Sequence, residues 1–393
     1  MVKKKVVIIG ATGSIGDSTL KIIEKHRESF EVIGIIANSN VKKLAKIAID
    51  FDVKHVAILN ENYYQDLRDL LKNRNTKIYA GNKGCLEVAS LRSDITVSAA
   101  VGIQGLMPTI CAIKNTKRLA LANKESMICA GEIINKIACE YNTEIFPIDS
   151  EHNAIYQIIH NKNEYISKVI LTASGGPFLN KTYEELKNVT PKEATTHPNW
   201  QMGKKVTVDT ATLINKGLEL IEAYQLFKFN SKQLDAIIHP QSFVHAIIDF
   251  EDGTSMMQMY KPHMTIPISY ALGYPHRLTT DFSNLNLKEM GQLIFKEIDE
   301  TKFPGFKLSK EVLNTEEQSH MIAFNVANEF AVSQFLDSKI KFLDIPKLIE
   351  NILENAEIIK IEQLEDIIYY ENHIITKCME LVNKIDYTSN IIN

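Results

Sequence analysis

Two carboxylates stand two positions apart in Phe146-Pro147-Ile148-Asp149-Ser150-Glu151-His152-Asn153, directly after the apolar run Glu144-Ile145-Phe146. In an extended chain the side chains at i and i+2 leave on the same face, so Asp149 and Glu151 are expected on one side of a strand end. Such a pair suits one hard divalent cation, Mg2+ or Mn2+, which prefers oxygen ligands and keeps positions open for substrate. A solvated loop at a strand end has the same spacing, and the pair alone does not separate the two readings. A third carboxylate, Glu219, lies in the stretch 211–223, whose spacing reads as a helix. Asn215 and Glu219 share one face of that helix, with Lys216 beside them. Glu219 is the candidate third ligand, although a lone helical Glu is more often a surface ion-pair partner.

Elements must hold these groups in place, and the first is at the start of the chain. Residues 5–9 read as a buried strand, followed by Gly10-Ala11-Thr12-Gly13-Ser14-Ile15-Gly16 and an amphipathic helix carrying Leu20, Ile22 and Ile23. In a strand, glycine turn and helix, backbone N–H groups and the helix N-terminus face the pyrophosphate of a dinucleotide. The spacing here is GxxGxxG, a variant of the usual fingerprint, and a turn with no ligand would look alike. The next strand, 31–37, ends in Asn38-Ser39-Asn40 with no acidic residue for a ribose 2′-OH, and Lys42 and Lys43 follow. That favours NADP over NAD. Alternation continues through a helix at 45–49, a strand at 56–58, a helix at 63–71, a strand at 95–98, a helix at 106–114 and a strand at 118–122. Repeated βα units imply a mostly parallel sheet with ligands outside the carboxyl ends of its strands. Asn123, Lys124 and Glu125 stand at such an end, where a lysine is either a surface charge or a working group.

Further on, the strand 169–173 runs into Ser174-Gly175-Gly176-Pro177. This turn can offer a hydroxyl and backbone N–H groups to a phosphate oxygen, or serve as an ordinary turn. Thr182 and Glu185 have the spacing of a helix capping box. His197-Pro198-Asn199-Trp200-Gln201-Met202-Gly203 holds the one tryptophan of the chain without any apolar period, and reads as an aromatic cover over a ligand, a lid. Residues 206–210 read as a short strand. Residues 235–250 read as strands, with a hairpin turn at 251–254 and a partner strand at 255–259, an arrangement suited to an oligomer contact or a domain face. His239 and His245 are expected to be packed or hydrogen-bonded rather than metal-bound. Residues 262–267 read as a loop near the site, 274–304 as a polar connector, and 316–333, 345–355 and 361–381 as helices of a small separate domain.

Composition narrows the class. A chain of 393 residues with a net charge of −4 has room for two or three domains and no basic face for nucleic acid. Its five cysteines lack CxxC pairing, so neither a disulfide framework nor a thiolate metal site is indicated, which fits a reducing cytosol. The apolar runs fall far short of the ~20 residues needed to span a membrane, and residues 6–9 lead into the glycine turn without a signal-peptide core. A soluble, cytoplasmic protein with no nucleic-acid or membrane partner is expected.

Taken together, seven segments in order resemble the 1-deoxy-D-xylulose 5-phosphate reductoisomerase family over essentially the full length. They are Gly10-Ala-Thr-Gly-Ser-Ile-Gly16, Leu121-Ala-Asn-Lys-Glu-Ser126, Pro147-Ile-Asp-Ser-Glu-His152, Ala173-Ser-Gly-Gly-Pro-Phe178, His197-Pro-Asn-Trp-Gln-Met-Gly203, Asn215-Lys-Gly-Leu-Glu219 and His239-Pro-Gln-Ser242. The resemblance implies an α/β fold with an N-terminal Rossmann-like NADPH-binding domain (1–148). A central α/β metal and substrate domain (149–275) would carry a lid near 174–204, followed by a connector (276–303) and a C-terminal helical domain (304–393). By the same resemblance, Thr12, Gly13, Ser14, Ile15, Asn38, Ser39, Asn40, Asn123, Glu125 and Gly203 would contact NADPH. Asp149, Glu151 and Glu219 would hold Mg2+ or Mn2+, with Co2+ as an alternative. Lys124, Ser150, Glu151, Ser174, His197, Trp200, Met202, Thr210, Asn215, Lys216 and Glu219 would bind the sugar phosphate, and Lys124, Asp149, Glu151 and Glu219 would carry catalysis. Two positions depart from the family: Thr210 stands where serine is common, and Ser39 where a basic residue or glycine is common. The implied reaction is the NADPH- and metal-dependent rearrangement and reduction of 1-deoxy-D-xylulose 5-phosphate, in a homodimer. Two other classes fit parts of the pattern: a metal-independent NADP dehydrogenase, which would survive a chelator, and an NADP-sensing protein that binds without turnover.

Overall fold

Val6, Val7, Ile8 and Ile9 are all buried, as a strand covered on both faces requires. They form β1 (Lys4–Ile9), the middle of a seven-stranded sheet. The computed structural model describes residues 2–159, 165–196 and 202–391, with side chains as far as 383. From β1 the chain runs through α1 (Ser14–Lys25), β2 (Phe30–Ala37), α2 (Val41–Asp50), β3 (His55–Ile58), α3 (Tyr64–Leu71), β4 (Lys77–Ala80), α4 (Gly81–Ala89), β5 (Ser93–Ser98), α5 (Leu106–Ile113), β6 (Thr116–Leu121), α6 (Lys124–Tyr141), β7 (Glu144–Pro147) and α7 (Ser150–Ile159). Next come β8 (Ile166–Ala173), α8 (Tyr183–Leu186), α9 (Pro191–Ala194), α10 (Lys204–Ala211), α11 (Ile214–Phe227), β9 (Leu234–Ile238), β10 (Val244–Phe250), β11 (Ser255–Met259) and α12 (Thr265–Gly273). The chain finishes with α13 (Leu287–Met290), α14 (Pro304–Thr315), α15 (Gln318–Leu336), α16 (Asp344–Glu354) and α17 (Leu364–Ile391).

Two compact units result, neither continuous in sequence. The first comprises residues 1–126, 134–160 and 263–285. Its strands run in the order β4-β3-β2-β1-β5-β6-β7 and every neighbouring pair is parallel, the Rossmann-like architecture expected. The unit β4–α4 is additional to the alternation read from the sequence. Phe146 and Ile148 of the β7 region join the same buried core as Val6, Ile8 and Ile35. Arg118 reaches the carbonyls of Ala271 and Tyr274, each at 3.0 Å, which ties the returning segment 263–285 to β6.

The second unit comprises residues 127–133, 161–262 and 286–393. Its four-stranded sheet has the order β11-β10-β8-β9; β10 is antiparallel to β8 and β11, and β8 is parallel to β9. The hairpin expected at 251–254 joins β10 to β11. The C-terminal helices are present as expected. Met321, Ala323, Phe324, Ala327 and Ala331 of α15 are wholly buried, and Phe335 at its end nearly so.

Three local expectations are corrected. Asp149 and Glu151 do not lie on an extended strand: β7 stops at Pro147 and α7 starts at Ser150, so Glu151 sits in a first helical turn. The backbone N–H of Asn153 donates to the Asp149 carbonyl at 2.8 Å, and acidic side chains are favoured at a helix start. Residues 206–210 are helical within α10, not a strand. Their β-branched residues suggested a strand, but the Thr207 and Thr210 hydroxyls donate back to the carbonyls of Gly203 and Val206, at 2.9 and 2.8 Å. Burial of Thr207, Val208, Asp209 and Ala211 then overrides propensity. The segment 262–267 is only partly a loop, because α12 begins at Thr265 and Pro267 falls in its first turn, where a missing N–H costs nothing.

Candidate active site

At the end of β1, Gly10 and Ala11 both donate backbone N–H groups to the Ile36 carbonyl at 2.9 Å, and Ala99 donates to Ile9 at 2.9 Å. The turn is therefore wedged between the ends of β2 and β5. Gly10 has φ +86°, and a Cβ there would lie 2.4 Å from the Ala99 carbonyl oxygen, so no side chain fits. Gly13 is the N-cap of α1 and brings no side-chain cap to the helix start. A helix N-terminus without a capping side chain, reached through a turn whose first residue has no room for a Cβ, is the cradle a pyrophosphate needs, and the residues present fit a dinucleotide. Thr12 and Gly13 lie on this turn, and Ser14 and Ile15 open α1. Asn38, Ser39 and Asn40 lie exposed beyond β2, and the Asn40 side chain caps α2 by accepting from the Lys43 N–H at 3.2 Å.

Asn123, fully buried at the end of β6, caps α6. Its amide donates to the carbonyls of Ala100 and Gly102 at 2.9 and 3.0 Å and to Glu125 at 3.0 Å, while its oxygen accepts from the Ser126 N–H and hydroxyl. Asn123 thus fixes the backbone at the end of β5. Glu125 is buried beside it. Lys124 Nζ lies 2.6 Å from Asp149 Oδ2, with the two side chains 10% and 16% exposed. The Ser150 hydroxyl donates to Glu151. The carboxyl ends of β6 and β7 thereby bring Lys124, Asp149, Ser150 and Glu151 into one neighbourhood, at the same edge of the sheet as the glycine turn. Sequence reasoning missed Asn153, whose amide donates to the carbonyls of Pro147 at 3.0 Å and Pro267 at 3.4 Å and so ties the end of β7 to α12. Its partner at 267 lies too far along the chain to leave a local signal.

In the second unit β8 delivers Ser174. The Gly176 N–H donates to the Ser174 hydroxyl at 3.2 Å. Gly176 has φ +67°, and a Cβ there would lie 2.6 Å from the Thr210 carbonyl oxygen, so the Ser-Gly-Gly turn packs closely on α10. One turn into α11, Glu219 is 1% exposed; the Asn215 amide donates to one of its oxygens and the Lys216 ammonium to the other. The helical face expected for Asn215, Lys216 and Glu219 is present. Met202 is half-buried and Gly203 exposed. His197 and Trp200, expected on the lid, lie outside the described residues. His239 and His245 behave as expected: His239 Nδ1 bonds the Ile294 carbonyl at 2.8 Å, and His245 stacks on Tyr260 with ring centroids 3.8 Å apart. Burial holds the His239 imidazole below its ordinary range, offset in part by the bond to Ile294. Burial pushes the Cys85 and Cys378 thiols up to about 11 and about 12, and thiols so shifted are poor nucleophiles.

An all-parallel sheet with a glycine turn at β1, and a lysine–carboxylate cluster at the same carboxyl edge, defines a Rossmann-type nucleotide-dependent enzyme. Residues 6–131 match the family model for 1-deoxy-D-xylulose 5-phosphate reductoisomerase, residues 145–227 the model for its C-terminal domain, and residues 259–375 a further DXP reductoisomerase C-terminal domain. The 1-deoxy-D-xylulose 5-phosphate reductoisomerase of Wolbachia pipientis subsp. Culex pipiens is 45% identical over 93% of this chain and 94% of its own length, and that of Zymomonas mobilis 40% identical over 94% and 95%. A crystal structure of a DOX-P reductoisomerase with NADPH, fosmidomycin and magnesium superposes with a TM-score of 0.93 at 37% identity, covering 98% of this chain and 99% of that one. The Zymomonas mobilis enzyme with NADPH gives 0.90 at 37% identity, covering 97% and 99%. The chain belongs to the 1-deoxy-D-xylulose 5-phosphate reductoisomerase family.

Proposed function

We infer that Asp149, Glu151 and Glu219 together hold one Mg2+ or Mn2+ ion, with Co2+ as an alternative. The enzyme is an NADP-dependent oxidoreductase that isomerises and reduces 1-deoxy-D-xylulose 5-phosphate to 2-C-methyl-D-erythritol 4-phosphate in isoprenoid biosynthesis, with NADPH and a divalent metal as cofactors. The observation that carries the site assignment is the Lys124–Asp149 pair beside Glu151 at the carboxyl ends of β6 and β7. A hard, all-oxygen donor set fits such an ion. When bound, the metal supplies Lewis acidity toward the ketose carbonyl and its neighbouring hydroxyl, and NADPH supplies the hydride.

The chain's own residues bind, orient and shield. Lys124 and Glu151 are the candidates for moving protons, Lys124 as a donor and Glu151 as an acceptor already held by Ser150. Ser174 with the N–H groups of its turn, Asn215 and Lys216 bind the phosphate end of the substrate, and Thr210 contributes a hydroxyl. Thr12, Gly13, Ser14 and Ile15 take the pyrophosphate, Asn38, Ser39 and Asn40 the adenosine end, and Asn123 and Glu125 the nicotinamide side. His197, Trp200 and Met202 serve the sugar phosphate and Gly203 the coenzyme, within a lid segment whose closing would exclude water. Functionally, residues 1–148 serve the coenzyme, 149–275 the metal and substrate, 276–303 connect, and 304–393 support. The protein acts in the cytoplasm as a homodimer, with the outer strand β11 as the contact.

Absorbance at the nicotinamide band tests this reading. Loss of NADPH should require both deoxyxylulose phosphate and added Mn2+ or Mg2+, and an excess of chelator should abolish it. Turnover that persists in chelator would overturn the metal assignment.

A further inference from the structure

Lys43 is oddly placed for a helix. It lies in the first turn of α2, which has no acidic residue, although a helix start favours anions and disfavours cations. Its side chain leaves α2 and crosses to the glycine turn. There Nζ donates to the Thr12 carbonyl at 2.9 Å and pairs with Asp17 at 2.6 Å. Asp17 belongs to the first turn of α1, where its own N–H donates to the Gly13 carbonyl at 2.9 Å. The Lys43 backbone is held in turn, because its N–H donates to the Asn40 side chain. One residue therefore ties the turn after β1 to the turn after β2.

This arrangement bears on the coenzyme in two ways. Fixing the Thr12 carbonyl toward α2 sets the Thr12–Gly13 peptide, and with it the direction in which the following N–H groups of α1 point. Asp17 also puts a negative charge one turn from the site of an anionic pyrophosphate, and the Lys43 ammonium offsets it. The ammonium already has two oxygen partners, so the sequence-based expectation that Lys43 favours a 2′-phosphate gives way to a different role. We propose that Lys43 is a positioning residue for the pyrophosphate-binding turn, acting on NADPH and NADH alike, and that it neutralises Asp17. The proposal rests on the coenzyme reading above.

Binding of NADPH and of NADH, followed by nicotinamide fluorescence in the full-length protein, tests it. Lys43→Met is expected to weaken both coenzymes by the same factor, about tenfold, the scale of a lost charged hydrogen bond, with kcat nearly unchanged at saturating NADPH. Asp17→Asn added to Lys43→Met should recover part of that loss, and Lys43→Arg should retain most of the affinity. Asp17→Asn alone, which needs no stable Lys43 variant, should leave binding of both coenzymes unchanged or tighter. Loss of NADPH affinity alone would make Lys43 a 2′-phosphate ligand and overturn the proposal. No change with Lys43→Met, or a loss that Asp17→Asn does not relieve, would overturn it equally. A wild-type protein that binds neither coenzyme would instead refute the underlying coenzyme assignment.

Discussion

Glu219 shows what one buried side chain is asked to do. At 1% exposure it accepts from Asn215 on one oxygen and from Lys216 on the other; a buried carboxylate without such donors would be strongly destabilising. Glu219→Gln keeps the shape and removes the charge, so kcat should fall by about a hundredfold or more, the scale at which a lost charge-stabilising group acts in catalysis. NADPH affinity should change by less than about threefold if Glu219 serves the metal and not the coenzyme; steady-state kinetics with coenzyme titration checks both. A second residue-scale expectation concerns acid. Burial depresses the pKa of His239, and burial followed by a nearby lysine depresses His55 and His263. Below about pH 6.5 the unfolded chain then holds more protons than the folded one, so stability is full above that value and falls as pH drops through the folded values. Thermal melts should show a lower Tm at about pH 5.5 than at about pH 7.5, and a shallower fall in His239→Asn.

At the scale of the element, two glycines separate fold from function. Gly10 has φ +86°, and a Cβ would meet the Ala99 backbone at 2.4 Å. Gly10→Ala should cost about 1–3 kcal/mol from backbone strain alone and abolish coenzyme binding by displacing the turn. Gly203, the N-cap of α10, has φ −64° and nothing within 4 Å of an added Cβ. Gly203→Ala meets no clash and should cost only about 1 kcal/mol through the poorer N-cap, yet raise the KM for NADPH if Gly203 closes on the coenzyme. Thermal melts and kinetics on both variants distinguish the two roles. The capping boxes at Thr182/Glu185 and Thr190/Glu193 belong to this scale too; the first was legible from its Thr-x-x-Glu spacing.

For the whole molecule, β11 is an outer strand of its sheet and presents Met256 and Met257 at 55% and 45% exposure. An edge strand with exposed apolar side chains invites pairing. Met256→Lys with Met257→Lys should turn a dimer at micromolar concentration into monomers by sedimentation, because charge on an edge strand opposes pairing. A monomeric wild type would sink the dimer. Among the described residues no helix is long and apolar enough to cross a membrane, in line with the short apolar runs of the sequence.

The sequence by itself determined the βα alternation, the parallel sheet, the glycine turn, the hairpin at 251–254 and the Asn215–Lys216–Glu219 face, because each depends on periodicity or on neighbours within a few residues. Tertiary structure decided what depends on distant partners. Thr207 to Ala211 became helical through burial despite a strand-like composition, and Asp149 and Glu151 took a helix start where an extended strand was expected. The segment 263–285 returned to the first unit, where Arg118 holds Ala271 and Tyr274. Lys43 found Thr12 and Asp17 across 31 and 26 positions of chain. No local pattern encodes such contacts, since they exist only once separate elements are packed side by side.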